Sequence, residues 1–75
     1  MSDQTLDVRG QLCPIPVIRC QGRISGMSSG ETLEVLCTDP GTLHDIPAWC
    51  RIHGHKVRDT AEDGGEIRIL IEVCD

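Results

Sequence analysis

Residues 6–16 read Leu6-Asp7-Val8-Arg9-Gly10-Gln11-Leu12-Cys13-Pro14-Ile15-Pro16, and this stretch contains the most informative feature of the chain, Cys13-Pro14-Ile15-Pro16. It starts within an alternating polar and apolar segment, residues 5–8, that predicts a first strand. A loop at residues 9–12 follows, and then two prolines stand where the first turn of a helix tolerates them, because the first helical N–H groups have no intrahelical partner. We therefore expect Cys13 at the N-cap, where the helix dipole favours a thiolate.

The first helix is predicted over residues 14–27, because four of its apolar residues recur at helical spacing. These are Val17, Cys20, Ile24 and Met27, and we expect them to face the core. Gly22 weakens this helix relative to alanine. The next segment, Thr32–Cys37, alternates as a second strand.

A turn at residues 38–41 opens a second predicted helix, which runs to about Ile52. Either Asp39 or Thr42 is a candidate N-cap. Pro47 lacks a backbone donor, so we expect the helix to start near Asp45 or to be kinked there. Gly54 is a natural residue after the helix end.

The last part of the chain is a predicted hairpin. Residues 55–62 form a strand of modest quality, residues 63–65 a glycine turn, and residues 66–73 the clearest strand of the chain. The apolar face of that last strand consists of Ile67, Ile69, Ile71 and Val73. The opposite sheet face is expected to be partly open, with Glu34, Leu36, Arg68, Leu70 and Glu72.

The element order βαβαββ predicts an α+β fold, a two-layer α/β sandwich. Two helices cover one face of a mixed four-stranded sheet, with a parallel crossover at the start and an antiparallel hairpin at the end. At 75 residues we expect a single domain, residues 1–75, with a small core.

Composition disfavours direct nucleic-acid binding, a membrane span and a disulfide scaffold. The formal net charge is −5, Phe and Tyr are absent and Trp49 is the one tryptophan, so we expect no direct nucleic-acid binding. No apolar stretch approaches the ~18 residues of a membrane span, and no signal pattern begins the chain, so the expected location is the cytoplasm. Five cysteines are an odd count, which disfavours a disulfide scaffold.

The quoted stretch resembles the signature of the TusA/SirA-like sulfur carrier proteins. The resemblance continues in residues 30–36, in Thr38-Asp39-Pro40-Gly41, in residues 45–50 and in Gly54-His55, and it covers about residues 5–73. Members of that family are two-layer α/β sandwiches that carry sulfur as a persulfide on the cysteine of the Cys-Pro-x-Pro motif.

The resemblance implies that Cys13 is the persulfide carrier and that the protein is a sulfurtransferase in the relay sense. It would receive sulfur from a cysteine desulfurase or a rhodanese-like donor and pass it to an acceptor protein. Downstream uses in the family are tRNA thiolation, sulfur oxidation and cofactor sulfur trafficking. We expect no cofactor beyond the transient persulfide, and a monomer when the protein is alone.

Four further residues are expected to support Cys13. Pro14 and Pro16 would hold the helix start rigid, with backbone donors from neighbours such as Ile15 and Val17. Arg9 and Asp39 lie in loops at the same predicted sheet edge, where Arg9 would stabilise a thiolate or persulfide; simple surface solvation is the alternative for both.

The other cysteines are interpreted as structural. Cys20 lies about 10 Å along the helix from Cys13, too far for a disulfide, and is expected in the core with Cys37 and Cys50. Cys74 is expected to be an incidental thiol. A metal site at Cys50, His53 and His55 is disfavoured, because zinc needs three or four ligands and no Cys-x-x-Cys pair accompanies these residues.

Two other functions stay open at this point. A thiol-redox module would form a reversible disulfide through Cys13, although the chain lacks a Cys-x-x-Cys pair. A regulatory or interaction module would use the same fold without sulfur chemistry.

Overall fold

The computed structural model describes residues 3–12 and 14–74. Its elements are β1 (Gln4–Asp7), α1 (Ile15–Ile24), β2 (Thr32–Cys37), α2 (Thr42–His53), β3 (Lys56–Asp63) and β4 (Glu66–Glu72). The strands form one sheet in the order β1-β2-β4-β3, with β1 parallel to β2 and the other two pairs antiparallel. The predicted α+β fold and its mixed four-stranded sheet are confirmed.

The core lies between one face of the sheet and the two helices. In the central pair, Leu33, Val35 and Cys37 of β2 stand opposite Ile71, Ile69 and Ile67 of β4, and all six are buried. The helices add their own buried residues to this face, namely Pro16, Cys20, Ile24, Thr42, Ile46 and Cys50. The other face of the sheet stays partly open, as its alternating residues predict.

Helix α1 is shorter at both ends than the predicted 14–27. Its N-cap is Pro14, one residue later than expected, and Pro16 stands in the first turn. It ends at Ile24 because the N–H of Gly26 and that of Met27 turn back to the carbonyls of Arg23 and Ile24 in tighter three-residue turns. Met27 and Val17 still pack against the core, although only partly buried.

Helix α2 corrects two expectations. Its N-cap is Gly41, not Asp39 or Thr42, and the helix runs without a break through Pro47 instead of starting near Asp45. The loss of one backbone donor at Pro47 is tolerated in a helix whose Ile46 and Cys50 are buried on either side of it. Gly54 ends the helix at φ 80°, as predicted.

The strand ends differ from the predictions by one residue at several places. β1 covers Gln4–Asp7, β3 covers Lys56–Asp63 and β4 ends at Glu72. The pairing nevertheless continues past two of these ends, since Val8 donates to the carbonyl of Leu36 and Val73 donates to that of Glu31. The hairpin turn contains Gly64 and Gly65, both with positive φ, which suits a two-residue turn between antiparallel strands.

Candidate functional site

Both helices begin at the same edge of the sheet, because β1 and β2 are parallel and each is followed by its helix. The loop after β1 and the loop after β2 therefore meet. A hydrogen bond of 2.8 Å joins them, from the N–H of Gly10 to Oγ1 of Thr38. This edge brings together the loops of Arg9 and Asp39, as the sequence predicts.

Arg9 is held by two carboxylates. Its guanidinium donates to Asp7 at 3.0 and 2.8 Å and to Oε2 of Glu66, at the start of β4, at 2.9 Å. The side-chain hydrogen bonds from Arg9 lower the pKa of Asp7 from 3.8 to about 2, and the same bonds raise the pKa of the guanidinium. Arg9 thus ties the first loop to β1 and to the far hairpin.

Asp39 organises the turn before α2. Its Oδ1 accepts the N–H of Gly41 at 3.1 Å, and its backbone carbonyl accepts the N–H of Thr42 at 3.0 Å and the Thr42 hydroxyl at 2.7 Å. The Thr42 hydroxyl is buried and lies 3.0 Å from Sγ of Cys37. Asp39 therefore fixes the start of α2 through a turn that precedes the cap.

The two motif prolines occupy different environments. Pro14 is exposed at the N-cap of α1, whereas Pro16 is buried in the first turn. The N–H of Ile15 donates to the carbonyl of Leu12 at 2.9 Å, so this predicted donor for the motif sulfur is already paired. Cys13 itself lies outside the described residues, and its expected N-cap position with it.

The similarity to known proteins decides the family. The family model described as Sulfurtransferase TusA matches residues 4–73. The chain belongs to the TusA sulfurtransferase family. The match includes the whole Cys-Pro-Ile-Pro segment and the loops after β1 and β2, which meet at one edge of the sheet; we call this the motif edge.

Named relatives and a solved structure agree with this. The sulfur carrier protein TusA of Allochromatium vinosum is 39% identical over 70 residues, which cover 93% of this chain and 92% of that protein. The sulfur carrier protein TusA of Pseudomonas putida is 38% identical over 63 residues, 84% of this chain and 79% of that protein. The crystal structure of a SirA-like protein from Desulfitobacterium hafniense superposes with a TM-score of 0.84 at 26% identity, covering 96% of this chain and 99% of that one.

Three cysteines of this TusA family member lie in the core, as predicted. Cys20, Cys37 and Cys50 are buried, while Cys74 is partly exposed. Burial raises the pKa of Cys20 from 9.0 to about 12, with a further contribution from repulsion by Cys50 and Cys37, and burial raises the pKa of Cys50 to about 11. These thiols stay protonated near neutral pH, so they are poor nucleophiles.

The histidines considered for a metal site take part in ring stacking. Trp49 lies 4.7 Å from the ring of His53 and 5.4 Å from that of His55. Nδ1 of His55 also accepts the backbone N–H of Cys74 at 3.0 Å. Over residues 3–12 and 14–74, no group of three potential metal ligands comes together.

An exposed apolar surface beside the motif was missed at the sequence level. Leu12 is 70% exposed, Ile15 46% and Ile18 59%, and Ile18 continues into a groove of about 420 Å³ that is also lined by Arg19 and Arg23. The signal was present, because Leu12, Ile15 and Ile18 recur every three positions; Ile15 and Ile18 lie on the side of α1 opposite Cys20, and Leu12 precedes the helix. We call Leu12, Ile15 and Ile18 the motif patch.

Gln11 is a second residue that the sequence did not single out. Its Oε1 is buried and has no hydrogen-bond partner among the residues that the structure describes. The residue stands two positions before Cys13, inside the loop that Arg9 and Gly10 fasten to the sheet.

No helix of the described chain is long and apolar enough to cross a membrane.

Proposed function

We propose that this TusA family member relays sulfur as a persulfide on Cys13. The observation that carries the proposal is the family match over residues 4–73, which contains the Cys-Pro-Ile-Pro segment. Burial of three of the four described thiols supports it, since Cys20, Cys37 and Cys50 are inaccessible and burial raises their pKa values, which keeps them protonated and unreactive. Cys13 stands in sequence between two exposed residues, Leu12 and Pro14.

The transfer step is an exchange at sulfur. The Cys13 thiolate attacks the terminal sulfur of a donor persulfide; the donor S–S bond breaks, and the donor cysteine leaves as a thiolate. Cys13 then carries –S–SH, with the proton that the terminal sulfur already held. An acceptor thiolate attacks that sulfur in the same way and regenerates the Cys13 thiolate, so no oxidant or reductant is consumed.

The start of α1 is expected to favour this chemistry. Ten residues of helix begin two positions after Cys13, and the positive end of a helix dipole lowers the pKa of a nearby thiol. Pro14 and Pro16 keep this start in place, Pro14 as the N-cap and Pro16 as a buried anchor. In this proposal they position the sulfur and take no part in bond making.

Arg9 and Asp39 also act as positioning residues. The charge of Arg9 is shared between Asp7 and Glu66, which leaves it better suited to fixing the loop than to stabilising a distant anion. Asp39 holds the turn after β2, whose Thr38 receives the N–H of Gly10. Together they keep the loop before Cys13 in one conformation.

The motif patch is the proposed docking surface for sulfur donors and acceptors. Leu12, Ile15 and Ile18 lie on both sides of Cys13 in sequence and expose apolar area next to two arginines. Apolar surface surrounded by charge is typical of protein interfaces. We expect the donor to be a cysteine desulfurase or a rhodanese-like protein that places its persulfide at the centre of this patch.

Sulfur loading tests the proposal. The reduced protein is incubated with a cysteine desulfurase and cysteine, and its intact mass is measured; we expect one added sulfur, about 32 Da. Cys13→Ser should abolish the addition, and the matched control Cys74→Ser should retain it; Cys74 is the one partly exposed thiol among residues 3–12 and 14–74.

Two outcomes would contradict the proposal. Full loading of Cys13→Ser would place the sulfur elsewhere. A loss of 2 Da on oxidation, dependent on both Cys13 and Cys74, together with no loading, would favour the thiol-redox function.

A further inference from the structure

A basic groove lies at the other end of the molecule, between the last turns of α2 and the start of β3. Its volume is about 390 Å³. Three cations line it: Arg51, Lys56 and Arg58. The apolar part of its lining consists of Pro47, Cys50 and Val57. We call this feature the basic groove.

The charge of the basic groove contrasts with that of the chain. The protein has 12 acidic residues and a net charge of −5, yet three of its seven lysines and arginines meet here, and no acidic residue is among the described residues that line it. Arg58 is paired with Glu72. Arg51 and Lys56 are exposed, and within the described chain neither has a carboxylate within ion-pair distance.

Helix stabilisation accounts for only part of this cluster. Arg51 is in the last turn of α2, where a cation interacts favourably with the helix dipole. Lys56 and Arg58 belong to β3 and follow the C-cap Gly54, so the dipole does not explain why both stand at the same groove. Two cations without a salt-bridge partner among the described residues, Arg51 and Lys56, attract negatively charged partners over a Debye length.

The basic groove is separate from the motif edge. Helix α2 begins beside the loops of Arg9 and Asp39, and its groove cation Arg51 lies nine residues after Thr42, roughly 14 Å along the helix. A partner bound there would leave the motif patch uncovered. The inference therefore does not rest on the proposed sulfur relay.

The shape of the groove favours a polypeptide over a small anion. Its cations come from two elements, a helix and a strand, and are arranged along an open, partly apolar channel. β3 is an edge strand, paired only with β4, so an extended segment has access to this side of the sheet. Recognition of a lone oxyanion instead requires several donors that converge on one point.

We propose that the basic groove docks an acidic segment of a partner protein, with carboxylates at Arg51 and Lys56 and apolar side chains over Pro47 and Val57. Such a contact would hold a partner without covering the motif patch. Electrostatic complementarity of this kind acts mainly on the association rate and on partner choice.

Trp49 provides the readout for a binding experiment. It is the one tryptophan, and its ring stacks on His55, which also lines the basic groove. The probe is a peptide of about eight alternating glutamates and leucines. We expect a saturable change in tryptophan fluorescence that weakens with added salt.

Charge reversal locates the binding site. Arg51→Glu with Lys56→Glu should weaken binding roughly tenfold, about 1.4 kcal/mol. The control is Arg68→Glu, compared with Lys56→Glu; it makes the same change of charge at an exposed strand position elsewhere and should stay within about twofold of the wild type. If the reversed groove variant loses its fold by circular dichroism, Lys56→Gln replaces it and should still bind more weakly than Arg68→Gln.

Three results would overturn the docking proposal. They are an absence of saturable binding, equal weakening by the groove and control variants, and a fluorescence change that inorganic phosphate reproduces at the same concentration. Sulfur loading of the groove variants by a desulfurase is expected to be normal, which separates this test from that of the proposed function.

Discussion

Arg9 connects the loop at residues 9–12 with Asp7 of β1 and Glu66 of β4. We predict that Arg9→Met slows sulfur loading of Cys13 by several fold, while the urea midpoint changes little because exposed ion pairs contribute weakly to stability. The control is Arg68→Met, which removes the longer 3.6 Å contact to Glu66 and leaves the loop fastened.

The ionisation of Asp7 gives an independent readout of the same prediction. Its pKa lies at about 2, below the ordinary 3.8, because Arg9 donates hydrogen bonds to it. A lowered folded-state pKa stabilises the fold above pH 3.8 and loses that effect as the pH falls through 2. In Arg9→Met a carboxyl titration by NMR should return Asp7 toward 3.8; a value that stays at about 2, with loading unchanged, would contradict the positioning role.

For single residues, the sequence predicted that Arg9 and Asp39 lie at the same edge of the sheet, but it did not predict the side chains that Arg9 binds. The parallel order of β1 and β2 was enough to place Arg9 and Asp39 at one edge. The partners of Arg9 were not accessible to the same argument, because Glu66 is 57 positions away and reaches the loop only through the strand order β1-β2-β4.

Gly22 and Gly54 differ in backbone conformation, so replacing each by alanine should have opposite effects on stability. Gly22 is inside α1 and Gly54 is the left-handed C-cap of α2, and a Cβ atom at either position would have no neighbour within 4 Å. We predict that Gly22→Ala stabilises the protein by about 0.5–1 kcal/mol, through helix propensity. Gly54→Ala should destabilise it by about 1–2 kcal/mol, because φ of 80° strains an L-residue.

Urea unfolding of the two variants provides the measurement, and each serves as the control for the other. Shifts of the same sign would mean that surface exposure, and not backbone conformation, determines the effect. Gly22 also lines the groove beside the motif patch, so Gly22→Ala tests whether added bulk there reduces loading by a desulfurase without loss of stability.

Some ends of helices and strands were predicted correctly from local sequence preferences alone, and others were not. Gly54 and the Gly64–Gly65 turn have strong local preferences, and both were predicted correctly. The end of α1 and the start of α2 were not. Met27 packs against the core from beyond the end of α1, and Pro47 is accommodated inside α2, whose Ile46 and Cys50 are buried.

At the scale of the whole molecule, the strand order follows from how strands differ in apolar content. β2 and β4 each bury alternate residues and occupy the centre, whereas the four-residue β1 and the largely exposed, charged β3 form the edges. The element order and the glycine turn predicted the parallel β1–β2 crossover and the antiparallel β3–β4 hairpin. The β2–β4 contact that joins them needs a comparison of all four strands, since it links segments with no short connection between them.

The core thiols make the stability of the whole fold sensitive to alkaline pH. Burial raises the pKa of Cys20 to about 12 and that of Cys50 to about 11, from 9.0. For an acid whose folded-state pKa is raised, the stabilisation is complete below pH 9 and is lost as the pH rises toward 11 and 12. We predict that the urea midpoint is flat from pH 7 to 8.5 and then falls, each thiol adding at most about 1.4 kcal/mol per pH unit.

Two variants distinguish this cause from general alkaline unfolding. Cys20→Ala with Cys50→Ala lowers stability at pH 7 by leaving cavities, yet its midpoint should decline less steeply above pH 9. Cys74→Ser, at a partly exposed position, should keep the wild-type pH dependence. Equal slopes in all three proteins would show that the buried sulfurs do not ionise on unfolding, and the argument that burial reserves reactivity for Cys13 would lose its support.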